Sequence, residues 1–301
     1  VFVSFLVRLL SGYGYSDYEA GIALTFAAFA SLTIQPLVGR LADTVHSVRR
    51  LLIVCVLIAI GASILLDLSH GQRLFAYFMI LIIFGSFRSL IYIIDLWSLA
   101  VAADCQEFSY GFTRSFGAVF YAVSAVFYGA AIDRFTIVII VPCFCLFASL
   151  MMVMALSVKS PNTERSEKER IDTPPVGEAL RILFSNKAYR VLLASYTFIE
   201  MSCLAHQNYL TRKFEVLGAG DLYTGLSLLI MGLLQLIPLL LHARIVRRLS
   251  PSTLMLVCLI GLNLRTIIMG FSTTAIGTVC SFLTEPIAFG LYIGTILYYM
   301  N

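Results

Sequence analysis

Seven ionisable side chains stand inside long apolar runs of this sequence: Arg88, Asp95, Arg114, Glu200, His206, Arg265 and Glu285. A charge at the centre of a helix in lipid costs about 2.5–3.5 kcal/mol on the insertion scale, so the set costs on the order of 20 kcal/mol. Such groups must face a protein interior or a wet cavity. A carboxyl or imidazole there can carry a proton if it is neutral when occupied and charged when released, with a nearby cation favouring release. Glu285 and His206 are the candidate carriers, and Arg265 is the candidate cation. Arg114 and Tyr121 lie seven apart, on one helix face. A rigid guanidinium fork donates to paired hydroxyls, and an aromatic ring lies against the apolar face of a pyranose. Each has a plainer alternative: Arg114 snorkels to its helix end, and His206 makes an interhelical hydrogen bond. Arg88 and Asp95 are two turns apart, about 10 Å along one helix face, so each needs a partner on a neighbouring helix. Glu200 is expected to face the interior, with no further role to assign.

The elements that position these groups follow from composition. Of 301 residues, 59% are hydrophobic and only 13% charged, against about 45–50% and 25% for soluble chains. The 38 charged residues cluster between apolar stretches and could not cover a soluble surface. The formal charge of +4 is too small to suggest nucleic acid. An integral membrane protein is the remaining class. Apolar runs of about 20 residues read as membrane helices. They are continuous, without the period-two alternation of barrel strands. Spans are expected at 18–41, 51–68, 74–103, 110–132, 136–158, 189–211, 222–242, 253–271 and 274–299, preceded by the tail of a helix at 1–11. Both chain ends look cut, so the sequence reads as a fragment.

Residues 158–188 form the one long polar stretch, with both charge signs, Pro174-Pro175 and a short amphipathic piece at 176–184. It divides the chain into a bundle at 1–157 and a partial bundle at 189–301. Arg40, Arg49 and Arg50 flank one short turn, and Arg244, Arg247 and Arg248 another; both fall on the side of the linker. The positive-inside rule makes that side cytoplasmic, in the plasma membrane. Six of the seven cysteines, Cys55, Cys143, Cys145, Cys203, Cys258 and Cys280, lie in apolar stretches and read as small buried hydrophobes; Cys105 is in a polar link. No metal-ligand spacing, Walker-type loop, HExxH or GxSxG occurs, so no enzyme is expected.

The two basic turns align with each other. Gly39-Arg-Leu-Ala-Asp43 with Arg49-Arg50-Leu51-Leu52 matches Ala243-Arg-Ile-Val-Arg247 with Thr253-Leu254-Met255-Leu256 at constant offset. Parallel repeats of this kind mark two-bundle transporters with a site between the halves. The stretch from Gly39 through Asp43 to Arg49 and Arg50 resembles the cytoplasmic motif of the major facilitator superfamily, with Ser47 where that motif has glycine. Ile34-Gln-Pro-Leu37 and Tyr110-Gly-Phe-Thr-Arg114-Ser-Phe-Gly117-Ala-Val-Phe-Tyr121 resemble the oligosaccharide–proton symporters, the branch containing lactose permease.

That resemblance implies an all-α membrane protein with the major facilitator fold: two six-helix bundles related by a pseudo-two-fold, here lacking most of helix 1 and helices 11–12. It implies a secondary active transporter of a small polar solute, a sugar, by proton symport with alternating access. Arg114, Tyr121, Asp95, His206 and Gln235 would bind the solute. Glu285, Arg265 and His206 would couple the proton, and Gly39, Asp43, Arg49 and Arg50 would gate. Three departures stand out. Glu285 falls where the branch has its histidine. Ala288 stands at the branch's glutamate, and the acid expected on the eighth helix is missing, leaving Gln235. The expected partners are a small-molecule solute and the lipid bilayer, with no nucleic acid, no cofactor beyond the proton, and a functional monomer. The alternatives are a facilitator of another solute class (aromatic acid, nucleoside or drug efflux) or a polytopic membrane enzyme or receptor.

Overall fold

The computed structural model describes residues 1–44, 48–69, 72–104, 110–157, 176–246 and 248–291. Among them every regular element is helical. A 3₁₀ turn, Phe2–Phe5, leads into α1 (Leu6–Gly12). Then follow α2 (Asp17–Thr44), α3 (Val48–Leu68), α4 (Arg73–Asp104), α5 (Tyr110–Phe135) and α6 (Ile140–Ser157). After the 158–175 segment come α7 (Val176–Ser185), α8 (Lys187–Asn208), α9 (Leu210–Val216), α10 (Asp221–Val246), α11 (Pro251–Phe271) and α12 (Ala275–Cys280).

Local chemistry sets the ends. Ser16 and Glu19 form a capping box at the start of α2: Ser16 Oγ accepts from the Glu19 N–H, and Glu19 Oε2 accepts from the Ser16 N–H at 2.9 Å. Ser250 caps α11, whose first residue, Pro251, has no N–H to satisfy. Gly14 and Gly218 sit at φ 81° and 68° in the turns after α1 and α9, a region that costs a side chain strain.

Six of these helices are long and apolar enough to cross a membrane. The span Ile137–Ser157 has mean hydropathy 2.7, yet only 22% of it is buried. Its apolar surface faces outward, where only lipid makes such exposure favourable. Phe120, Phe127, Leu146 and Val153 belong to the same exposed belt. Lipid tails are as apolar as leucine, so the helices are held together by close van der Waals packing and hydrogen bonds.

The first-half helices pack as α2 on α4, α4 on α3 and α3 on α6. Contact between the halves runs along α5 and α10. Small residues make that seam close. A Cβ on Gly129 would fall 2.5 Å from the Asp221 carbonyl oxygen, and one on Gly225 would fall 2.6 Å from that of Ala125. One on Gly232 would meet the Ala122 methyl at 2.9 Å. Phe5, Leu6, Leu9 and Leu10 of the α1 region are fully buried in the core shared by both halves.

Two expected spans are broken. The 189–211 helix stops at Asn208, and Tyr209, at ψ 12°, starts a new short helix whose polar end reaches across to α2. The 274–299 helix changes character within its described part, from α12 to a 3₁₀ turn at Ser281–Thr284 and a wide turn at Pro286–Gly290. Pro286 has no N–H to donate back to Phe282, and Ala288 takes a non-helical φ −91°, ψ −106°. The rest of that span, like Cys105 and 158–175 of the linker, lies outside the described residues. The amphipathic piece is α7, with Ile182, Leu183 and Phe184 exposed. Cys55, Cys143 and Cys258 are buried, as read, but Cys145 is only half-buried and Cys280 is exposed on α12. A thiol is apolar enough to face lipid at little cost.

Candidate functional site

Gly261 and Gly290 bring three helices together around one carboxylate. A Cβ on Gly261, four residues before Arg265 on α11, would fall 2.7 Å from the Ile287 carbonyl oxygen. One on Gly290 would fall 2.6 Å from Pro238 Cγ of α10 and 3.4 Å from the Gln235 Cα. With these side chains absent, α10 and α11 close on the turns around Glu285.

The result is a buried triad. Arg265 Nη1 donates to Glu285 Oε2 at 2.7 Å, and Gln235 Nε2 donates to Glu285 Oε1 at 2.8 Å. The Glu285 side chain is 0% exposed and that of Arg265 7%, so water cannot replace either bond. The Phe282 ring lies 5.7 Å from the guanidinium carbon, a cation–π contact from the turn preceding Glu285. Arg265 and Glu285, both picked out by the sequence, are thus direct partners, and Gln235 fills the place where a third charge was missing.

His206 is not part of this triad. It is half-buried on α8, with Nε2 3.0 Å from Thr266 Oγ1. That hydroxyl also lies 3.0 Å from the Leu262 carbonyl oxygen. The contact is the interhelical hydrogen bond of the plainer reading, one residue from Arg265. Tyr121 of α5 shares a hydrogen bond with Ser4 Oγ at 3.1 Å. Ser4 and Thr266 carried no sequence signal, because hydroxyls are common on apolar helices. Arg88 is half-buried on α4. The side chains of Asp43, Asp95, Arg114 and Glu200 lie outside the described residues.

Of the basic turn, Gly39 is half-buried near the end of α2. Arg49 Nη1 donates to the Leu156 carbonyl oxygen at 3.2 Å, satisfying the last turn of α6 with a cation at its negative end. Arg50 is exposed beside it.

A family profile described as the MFS_1 like family matches residues 1–301. The chain belongs to this family, within the major facilitator superfamily. No curated protein matches it. This major facilitator is a secondary transporter and a multi-pass membrane protein. Within it, the triad is a buried carboxylate held between a cation and a neutral amide.

Proposed function

We propose that the protein moves a small polar solute, a sugar, by proton symport with alternating access, as in the lactose permease-like branch. The observation that carries this reading is the ion pair of Glu285 and Arg265, completed by Gln235, on three separate helices with the carboxylate fully buried. Burial alone favours the protonated carboxyl, while approach of Arg265 favours the carboxylate. A cycle that separates and rejoins the two converts a proton gradient into helix movement. The residues 1–157 and 189–301 would act as the two moving bodies, and the basic turns would face the cytoplasm from the plasma membrane. Tyr121, with Ser4, offers neutral donors and acceptors, which suits a hydroxylated solute. Arg114 and Asp95 belong to the same proposed site, and His206, on its Thr266 bond, orients beside it. Asp43 and the basic turn would hold the cytoplasmic gate. No cofactor enters beyond the proton, and the working unit is a monomer.

Glu285→Gln tests the coupling. The amide mimics the protonated side chain permanently, so solute binding and exchange across the membrane should persist while accumulation driven by a proton gradient is lost. Uptake is measured in vesicles, with and without the gradient, across a panel of sugars. Uphill accumulation by the variant would place the carrier elsewhere.

A further inference from the structure

The face opposite the basic turns is tied shut by polar groups that come from both halves of the chain. Arg8 of α1 donates from Nε to Asp221 Oδ2 of α10 at 2.9 Å, and its Nη1 lies 3.5 Å from Glu215 Oε1 of α9. Arg212 of α9 pairs with Asp17 of α2 at 3.2 Å and with Glu215 at 2.8 Å. Tyr209 donates its hydroxyl proton to the Asp17 carbonyl oxygen at 3.1 Å.

The tightest of these ties is a helix cap supplied by the other half. Asp133, near the end of α5, accepts from the backbone N–H groups of Asp221 at 2.7 Å and Leu222 at 2.9 Å. These are first-turn donors of α10, which a helix usually satisfies with the side chain of its own N-cap residue. Here the preceding residue is Gly220, which has no side chain. A Cβ there would fall 2.6 Å from an Asp133 carboxylate oxygen, so glycine is what admits the foreign carboxylate. Asp133 also sits at the positive end of the α10 dipole. Asp221 in turn is 7% exposed and is held by Arg8.

The ties around this cap are as open to water as Asp133 itself, which is exposed. Arg8, Glu215, Arg212 and Asp17 are 27–53% exposed, so water can take over their hydrogen bonds at a net cost of about 0–1 kcal/mol per pair. The clamp is therefore one buried carboxylate, Asp221 on Arg8, and one exposed cap, Asp133 on α10, ringed by contacts that exchange readily with water. A permanent structural joint has no use for such a ring. A joint that must open and close does, since every group it exposes can be hydrated.

We infer that Asp133 and Arg8 are positioning residues that hold this face closed by clamping the start of α10, and that the clamp releases in each transport cycle. The inference rests on the alternating-access reading given above. Release leaves Asp133, Glu215 and Asp221 as three carboxylates at the mouth of the opening.

The test uses the full-length transporter in vesicles, with its seven cysteines replaced by alanine. Thr224 is the reporter. It is fully buried, shares the seam face of α10 with Gly225 and Leu228, and its hydroxyl makes no hydrogen bond among the described residues. Thr224→Cys is labelled with a membrane-impermeant maleimide from the side opposite the basic turns. Asp133→Ala and Arg8→Gln should each raise the labelling rate roughly tenfold, the population change expected on losing a charge-assisted hydrogen bond. Asp133→Asn, which keeps an acceptor, should raise it less. Ser63→Cys, fully buried between α3 and α6, serves as a second reporter and should stay unlabelled. Unchanged labelling at 224 would overturn the inference. So would a rise at both reporters, which signals general loosening. The readout needs neither solute nor proton gradient, so its failure is distinct from a failure of proton coupling at Glu285.

Discussion

Arg265→Met removes the cation from a carboxylate that no water reaches, and the cost can be worked out from the two ways Glu285 can respond. If it stays charged, only Gln235 remains as a donor, and breaking a buried pair in this way costs about 3–5 kcal/mol. If it instead takes a proton from solution, the cost is about 1.4 kcal/mol for each pH unit above the ordinary glutamate value of about 4.3. That amounts to about 3.7 kcal/mol at pH 7 but only about 1 kcal/mol at pH 5. The cheaper response sets the loss. The folded variant then holds a proton that its unfolded state releases above about pH 4.3, so its stability falls as pH rises through this window. Loss of the Phe282 contact adds about 0.5–2 kcal/mol at every pH. Reversible unfolding in mixed dodecyl sulfate–detergent micelles, with wild type and variant compared at both values, measures the difference. The penalty should grow by about 2.7 kcal/mol between pH 5 and pH 7. The double variant Arg265→Met/Glu285→Gln should lose that slope. A pH-independent penalty, or a slope surviving in the double variant, would refute the assignment of Glu285 as the group left uncompensated.

Two further outcomes follow from the contacts around the site and the seam. Tyr121→Phe removes the hydroxyl that meets Ser4 and should weaken solute binding about tenfold, in line with about 1–1.5 kcal/mol for a hydrogen bond; direct binding to detergent-solubilised protein reads this. Gly225→Ala drives a methyl against the Ala125 carbonyl oxygen, and neither backbone can yield, so stability should drop by about 1–3 kcal/mol. The same substitution at Gly117, where a Cβ meets nothing, should be neutral in the same unfolding assay.

The helices were legible because apolar runs of spanning length leave few alternatives, and most expected boundaries lie within about four residues of the observed ones, as helix ends usually do. The breaks at Tyr209 and after Pro286 were not. Proline is tolerated inside membrane helices, as Pro238 within α10 illustrates, so its presence alone does not announce a bend. Arg265 and Glu285 could be paired in advance because charges in lipid demand partners. His206 stayed open for a different reason: an imidazole is as content with a threonine hydroxyl as with an acid, and sequence does not distinguish the two. The opposite-face clamp left no trace. Arg8, Asp133 and Asp221 stand at helix ends, where charged residues are ordinarily solvated, and only the meeting of α5 with α10 gives them each other.

The glycine seam between α5 and α10 also has a mechanical meaning. Its closest approaches lie toward one end of α10, so the helix behaves as a lever with its fulcrum near Gly225. From there to Val246 is about 32 Å of helix at 1.5 Å per residue. A rotation of about 10°, within the range of known rigid-body transitions, sweeps the far end through roughly 5–6 Å, one helical turn. The same rotation moves the Asp221 end, four residues from the fulcrum, by only about 1 Å. A small slackening at the clamped face is therefore magnified several-fold at the basic face.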